Sequence, residues 1–249
     1  MMRIGSLLSR RNLSVRWTLL SLGLGLILGL SVTSGAQALI AATGGAAVVV
    51  APPADSRANV FQSNTVIRVW EEKLNHVTVN VVPFDIDGTP GFYDKPATVA
   101  TTGGNLPVGS LVDSHMIHFD QLGSGTTTQS GFVEFQHPIT AVFVLCNALD
   151  TSDAELGFPG TIYPTCISTG GFRPVDWIST GDNEQITISP DRMRIDITLR
   201  TSNVLDQLRV VTQQSAVAAA PGLGLPAMVL LALLGMVLGA RILKKSLPV

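Results

Sequence analysis

Arg192-Met193-Arg194-Ile195-Asp196-Ile197-Thr198-Leu199-Arg200 decides the fold class. Met193, Ile195, Ile197 and Leu199 alternate with charged or hydroxyl side chains. A period of two puts the apolar set on one face and the polar set on the other, as a half-buried antiparallel strand requires. Elsewhere in the chain, Val77, Val79 and Val81 alternate with Thr78 and Asn80, and Ile186 and Ile188 flank Thr187. Phe132-Val133-Glu134-Phe135 and Ile139 to Leu145 read as two strands broken at His137-Pro138, and Leu208-Arg209-Val210-Val211 as a last one. Turn signals lie between them at Asp87-Gly88, Gly103-Gly104, Gly123-Ser124-Gly125, Pro159-Gly160, Gly170-Gly171 and Gly181-Asp182. Many short strands, Gly-rich turns and no long amphipathic helix predict an all-β domain over 57–213, an antiparallel β-sandwich or jelly roll. One short helical turn is expected at Asp153 to Leu156. Residues 39–56 are small, contain Gly44-Gly45 and Pro52-Pro53, show neither period, and read as a linker.

Both ends of the 249-residue chain differ from this domain. Arg3, Arg10, Arg11 and Arg16 precede an apolar core from Thr18 to Leu30 and the small-x-small triplet Ala36-Gln37-Ala38. This predicts a signal peptide over 1–38, cleaved after Ala38. Ser9-Arg10-Arg11-Asn12-Leu13 loosely resembles a twin-arginine signal, but the very apolar core favours the general secretory route. At the other end, Ala219-Ala220-Pro221-Gly222 closes a stalk over 214–222. The uncharged run from Leu223 to Ala240 follows, long enough as a helix to span about 27 Å of hydrocarbon. A transmembrane helix is therefore expected over 223–242. Arg241, Lys244 and Lys245 place the basic tail, 243–249, in the cytoplasm and the β domain outside.

Charge narrows the partners. Of 16 basic residues, four precede residue 39 and three follow residue 222. The exported part thus sets nine basic against 18 acidic residues, a net charge of −9. Nucleic acid and anionic lipid are disfavoured, leaving divalent cations, neutral glycans or basic proteins. Cys146 and Cys166 are the chain's two cysteines, and export predicts a disulfide between them, with two unpaired thiols as the alternative.

Val112-Asp113-Ser114-His115-Met116-Ile117-His118-Phe119-Asp120 is the segment richest in metal-ligating side chains. On a strand, however, Asp113 and His115 share one face while His118 and Asp120 share the other. Asp85-Ile86-Asp87-Gly88 starts like a calcium loop but has Pro90 and Phe92 where ligands should fall, so a turn is expected. Asp150, Asp153 and Glu155 form a second acidic cluster, read either as caps of a helical turn or as a calcium bridge between loops. Trp70, Tyr93, Tyr163 and Trp177 read as core or rim, with a sugar-stacking platform as the functional alternative. There is no Gly-x-Ser-x-Gly elbow, no His-Glu-x-x-His and no Gly-x-x-x-x-Gly-Lys loop.

The tail resembles the PEP-CTERM sorting signal, the exosortase substrate tail of Gram-negative bacteria. Pro221-Gly222 match the last two residues of its Pro-Glu-Pro-Gly, whereas Ala219 and Ala220 replace the first Pro and the Glu. The run from Leu223 and the basic residues Arg241, Lys244 and Lys245 match in kind. The domain also looks like ectodomains found with such tails, on Val112-Asp113-Ser114-His115, Ile117-His118-Phe119-Asp120, Leu156-Gly157-x-Pro159-Gly160-Thr161-x-Tyr163 and Asp206-Gln207-Leu208-Arg209-Val210. The resemblance implies export, an exosortase-type processing enzyme, and association with exopolysaccharide or biofilm matrix. It implies no catalytic residue. The expectation is a non-enzymatic, membrane-anchored or sortase-processed surface protein with no cofactor, calcium being the exception to watch. The alternative is a metal-dependent or glycan-directed hydrolase using His115 or His118 with nearby carboxylates.

Overall fold

The computed structural model describes residues 39–99, 102–166, 173–175, 183–202 and 204–213. The chain divides into two units, Met1–Ala38 and Leu39–Val249, and the described residues all belong to the second. Its strands are β1 (Ile40–Gly45), β2 (Ala47–Val49), β3 (Ile67–Val77), β4 (Val82–Phe84), β5 (Gly91–Tyr93), β6 (Gly104–Leu106), β7 (Leu111–Asp120), β8 (Thr127–Phe135), β9 (Ile139–Phe143), β10 (Gln185–Ile188), β11 (Arg194–Thr201) and β12 (Leu205–Gln213). The helices are a single turn, α1 (Pro96–Val99), and α2 (Cys146–Leu156).

Ten strands form two five-stranded sheets. The first has the order β1-β8-β11-β10-β5 and the second β2-β3-β7-β12-β9, with β4 and β6 paired apart. Val133, Ile186, Ile195 and Ile197 of the first sheet share one core with Ile67, Ile117, Phe119, Leu208 and Val210 of the second. The diagnostic strand behaves as its period demands: in β11 Ile195, Ile197 and Leu199 are buried, while Arg194, Asp196, Thr198 and Arg200 reach solvent on the outer face. The two sheets differ on their outer sides. That of the first is open, whereas β7 and β12 are buried on both faces. Leu149 and Leu156 of α2 close over Val112, Phe143 and Val211 to make a second apolar cluster there.

Three expectations need correction. Residues 39–56 are not a linker, because they supply β1 and β2. Their small side chains are a packing requirement: a Cβ on Gly44 would stand 2.2 Å from Cε1 of Phe132. Val77 to Val81 is not one strand. β3 ends at Val77, and Thr78 turns the chain by donating its hydroxyl to Pro107 O at 2.7 Å. The helix is not one turn but the eleven residues of α2, whose buried stripe includes Ser152 and Glu155 beside Leu149 and Leu156, so no apolar period announced it. The antiparallel all-β expectation holds, with one parallel pair at an edge, β2 on β3, among the described residues. The expected Cys146–Cys166 disulfide is present and ties the first turn of α2 to the segment after Tyr163.

Candidate functional site

The metal-ligating residues of β7 diverge as their spacing implies. Asp113 and His115 lie on the face of Ile117 and Phe119, toward the core, and His118 and Asp120 lie on the outer face. Each is held by its own neighbours, although Asp113 Oδ2 and His115 Nδ1 are buried with no hydrogen-bond partner among the described residues. Asp113 Oδ1 accepts the Asn75 N–H at 2.7 Å. His115 packs its ring 4.8 Å from that of Phe135, and burial, helped by His137, pulls its pKa down to about 3. His118 donates through Nε2 to Phe61 O at 3.0 Å and accepts the Gln207 amide on Nδ1 at 3.0 Å, an arrangement of neutral imidazole. Burial brings its pKa to about 4. Asp120 accepts the Asn59 N–H at 2.7 Å, and burial raises its pKa. Among the described residues no three His, Cys, Asp or Glu side chains gather as a metal site.

Asp150 and Asp153 face a cation, and it is arginine. Arg173 grips Asp153 with two bonds of 2.6 Å and touches Asp150 at 3.2 Å. Arg209 spans Asp153 at 2.9 Å and both oxygens of Glu72 at 2.6 and 2.9 Å, and its Nη1 also bonds the Ser152 hydroxyl. Glu72 further accepts the hydroxyls of Ser114 at 2.8 Å and Tyr163 at 2.5 Å. The carboxylates around Arg209 outweigh its burial and hold its pKa above the usual range, while burial raises that of Tyr163. Asp150 and Asp153 thus share the guanidinium of Arg173, and Asp153 also pairs with Arg209. Glu155 binds the loop after β3 instead, through His76 at 2.8 Å, Val79 N–H at 2.7 Å and Asn80 at 2.8 Å. This ionic cluster clamps α2 to the outer face of the second sheet.

The remaining sequence candidates are structural where they are described. Asp85 caps the entry to α2 through the Val144 and Leu145 N–H groups, and Asp87 closes an Asx turn onto the Thr89 N–H at 3.0 Å. Trp70 and Tyr93 are buried and cannot form a stacking platform, and Trp177 lies outside the described residues. So do the signal segment 1–38, the stalk 214–222 with Pro221 and Gly222, the run from Leu223, and Arg241, Lys244 and Lys245.

The open outer face of the first sheet holds the best candidate site. Strand register aligns Gly44, Phe132, Asp196, Thr187 and Phe92 in one row across all five strands. The parallel row beside it is Ser130, Thr198 and Gln185. Directly paired residues point to the same side, and three strand spacings separate Phe132 from Phe92 by about 14 Å. Next to Phe132 lies a shallow open depression of about 380 Å³ lined by Phe132, Asp196 and Thr187 of the first row and by Ser130, Thr198 and Gln185 of the second; Phe92 lies beyond its lining. Phe132 is held firmly, resting on Gly44 with the Arg194 guanidinium 3.7 Å above its centroid. Arg194 in turn pairs with Asp196 at 2.6 Å and Glu134 at 3.2 Å. Phe92 stands free, 51 % exposed on the edge strand.

A second depression, about 480 Å³, opens between Lys73, Asp153, Phe158 and Tyr163. Its polar groups are already used: Lys73 donates to Glu155 O at 2.5 Å, Asp153 holds two arginines, and Tyr163 bonds Glu72 and the Phe158 N–H. On the first sheet Ser130 and Thr198 bond each other through their hydroxyls at 2.9 Å, Gln185 donates to Thr198 at 3.5 Å and Asp196 holds Arg194, but these groups stand on an open face where a ligand can reach them.

No known family model, curated protein or solved structure matches this chain.

Sequence reading missed Phe92, Phe132, Thr187 and Gln185. The alternation of β11 did mark Asp196 and Thr198 as outward-facing, but which side chains stand beside them depends on strand register.

Proposed function

We propose that this chain is an exported surface protein whose β-sandwich binds neutral matrix polysaccharide on the outer face of its first sheet, without catalysis. The observation that carries this reading is the Phe132–Asp196–Thr187–Phe92 row. A sugar ring presents an apolar C–H face and equatorial hydroxyls. An open phenyl edge beside a carboxylate, two threonines, a serine and a glutamine offers partners for both. The row is flat and open, which suits an extended chain rather than an enclosed small ligand. The net charge of the exported part argues against a polyanion. The disulfide fits an oxidising compartment, and the tail's likeness to an exosortase substrate fits display near the cell surface, with Leu223 to Ala240 in the membrane. His115 and His118 lie on opposite faces of β7 and do not share a cleft, so the proposed reading uses neither.

Affinity electrophoresis of the segment 39–213 in gels containing neutral exopolysaccharide tests the proposal. Retardation is expected, and Phe92→Ala should weaken it about tenfold, the equivalent of ~1.4 kcal/mol. Absence of retardation with every neutral polysaccharide, or retardation indifferent to both Phe92→Ala and Asp196→Ala, overturns the assignment to this face.

A further inference from the structure

We infer that one end of the second sheet is a membrane-facing tip that rests on the lipid surface through exposed valines. Val77, Val79, Val81 and Val108 are 51, 68, 58 and 59 % exposed. They are neighbours. The turn from Pro107 to Ser110 is pinned onto Thr78, which accepts the Gly109 N–H at 2.8 Å and donates its N–H to Ser110 O at 3.0 Å. Val108 therefore stands beside Val77 and Val79. Val81 adjoins the same turn because Val82 pairs with Leu106. Glu155 fixes the backbone of Val79 from below, so the valines are presented on a held loop. No Asp, Glu, Lys or Arg occurs in 74–81 or 106–110, although the exported part carries net −9.

What covers this patch follows from where the chain leaves the domain. β12 ends at Gln213, paired with Val112, and the next residue of β7, Leu111, pairs with Val77. The chain exits two strands, about 10 Å, from the valine tip. Nine residues, 214–222, separate that exit from Leu223 and reach at most about 32 Å when fully extended. The end bearing the valines is thus the end held near the bilayer; the two tip segments carry no charged side chain, and the Glu155 carboxylate behind Val79 is buried and bonded to His76, the Val79 N–H and Asn80. The inference rests on the reading of Leu223 to Ala240 as a membrane helix.

The test uses the full chain reconstituted in phosphatidylcholine vesicles, with an environment-sensitive fluorophore on Val79→Cys, Val108→Cys or, as control, Leu122→Cys, which is 62 % exposed. The labels at 79 and 108 should shift to the blue and lose most of their emission to a quencher carried on the lipid, and the label at 122 should do neither. Vesicle-bound protein whose three labels behave alike overturns the tip while leaving the anchor intact. Protein that fails to float with vesicles overturns the anchor, and the tip with it.

A separate observation points to the amino end. Leu39, 6 % exposed, donates its N–H to Glu71 Oε1 at 2.6 Å, and Ile40 donates to the same atom at 3.3 Å. Leu39 is also the residue that signal cleavage after Ala38 would leave first. We propose that Glu71 receives the new chain terminus. Hydrolysis of the Ala38–Leu39 bond by a signal peptidase adds one water, leaving a carboxylate on Ala38 and an ammonium on Leu39. The amide hydrogen bond then becomes a charge-assisted pair that fastens β1. N-terminal sequencing of protein from its host should begin at Leu39, and any other start overturns the cleavage reading. In the mature chain, Glu71→Gln and selective acetylation of the α-amine should each lower Tm, with the second change adding little to the first. Fully additive losses, or none, overturn the pairing even where Leu39 is the first residue.

Discussion

Arg209 is the residue on which the outer side of the second sheet depends. It is fully buried and touches Glu72, Asp153 and Ser152, so it joins strand β3 to helix α2 through strand β12. Replacing it by Met strands a buried carboxylate on Glu72 and should cost about 3–5 kcal/mol, read from urea unfolding. The double variant Glu72→Leu with Arg209→Met removes both charges and should recover much of that loss. The histidines set the acid limit. His115 and His118 titrate near their ordinary value of 6.5 when unfolded but only at about 3 and about 4 when folded. Below pH 6.5 the unfolded chain therefore takes up protons that the fold refuses. Stability is fully present above that pH and falls as acid is added, with a slope that approaches two protons, about 2.7 kcal/mol per pH unit, near pH 5 and eases toward pH 4 as folded His118 takes up its own proton. Asp85 and Asp120, whose pKa values are raised, act in the opposite sense as acid is added. His118→Asn should lower the slope by one proton, and an unchanged slope in urea titrations between pH 4 and 6.5 would refute this account. Period two alone showed that these histidines point apart. It could not show that Arg173, some twenty residues further on, pairs with both Asp150 and Asp153.

Elements with alternating polarity were legible and the others were not. β8, β10, β11 and β12 follow the alternation or the apolar runs that located them. β1 escaped notice because Ala42, Thr43, Gly44 and Gly45 were chosen for close approach to β8, not for polarity. Val77, Val79 and Val81 have a strand's pattern, yet they surround a turn and face outward, so tertiary context overrode a local preference. The helix α2 owes its position to constraints outside its own sequence: the Asp85 carboxylate at its entry, the arginines on Asp153, and the Cys146–Cys166 bond. The disulfide closes a separation of 20 residues that contains the whole of the helix. Reduction should cost about 3 kcal/mol by loop entropy. That corresponds to a fall in Tm of ~6–12 °C for a domain of this size. Scanning calorimetry with and without reductant measures it, and no shift would mean that the ionic clamp alone fixes α2.

At the level of the whole molecule, the segment misread as a linker stitches the two sheets together. β1 adds an edge to the first sheet and β2 to the second, and Ala46 between them donates to Ser130 O and accepts from the Ile67 N–H, both at 2.9 Å. The next residues strap the helix side, where Thr161 donates to Pro53 O at 2.6 Å and the Ile162 N–H to Ala54 O at 3.0 Å. A domain cut at the sequence-derived boundary, 57–213, would lose both edge strands and expose the flanks of β8 and β3 as unpaired ladders. It would also remove Gly44 from beneath Phe132 and so loosen the proposed sugar-binding row. The candidate site shares this dependence on long-range pairing, since its row exists only once five strands from distant parts of the chain are in register. The prediction is that 57–213 elutes as an aggregate in size-exclusion chromatography, whereas 39–213 elutes as a folded monomer with a cooperative melt. A monomeric 57–213 with the same Tm would show that β1 and β2 decorate the sandwich rather than close it.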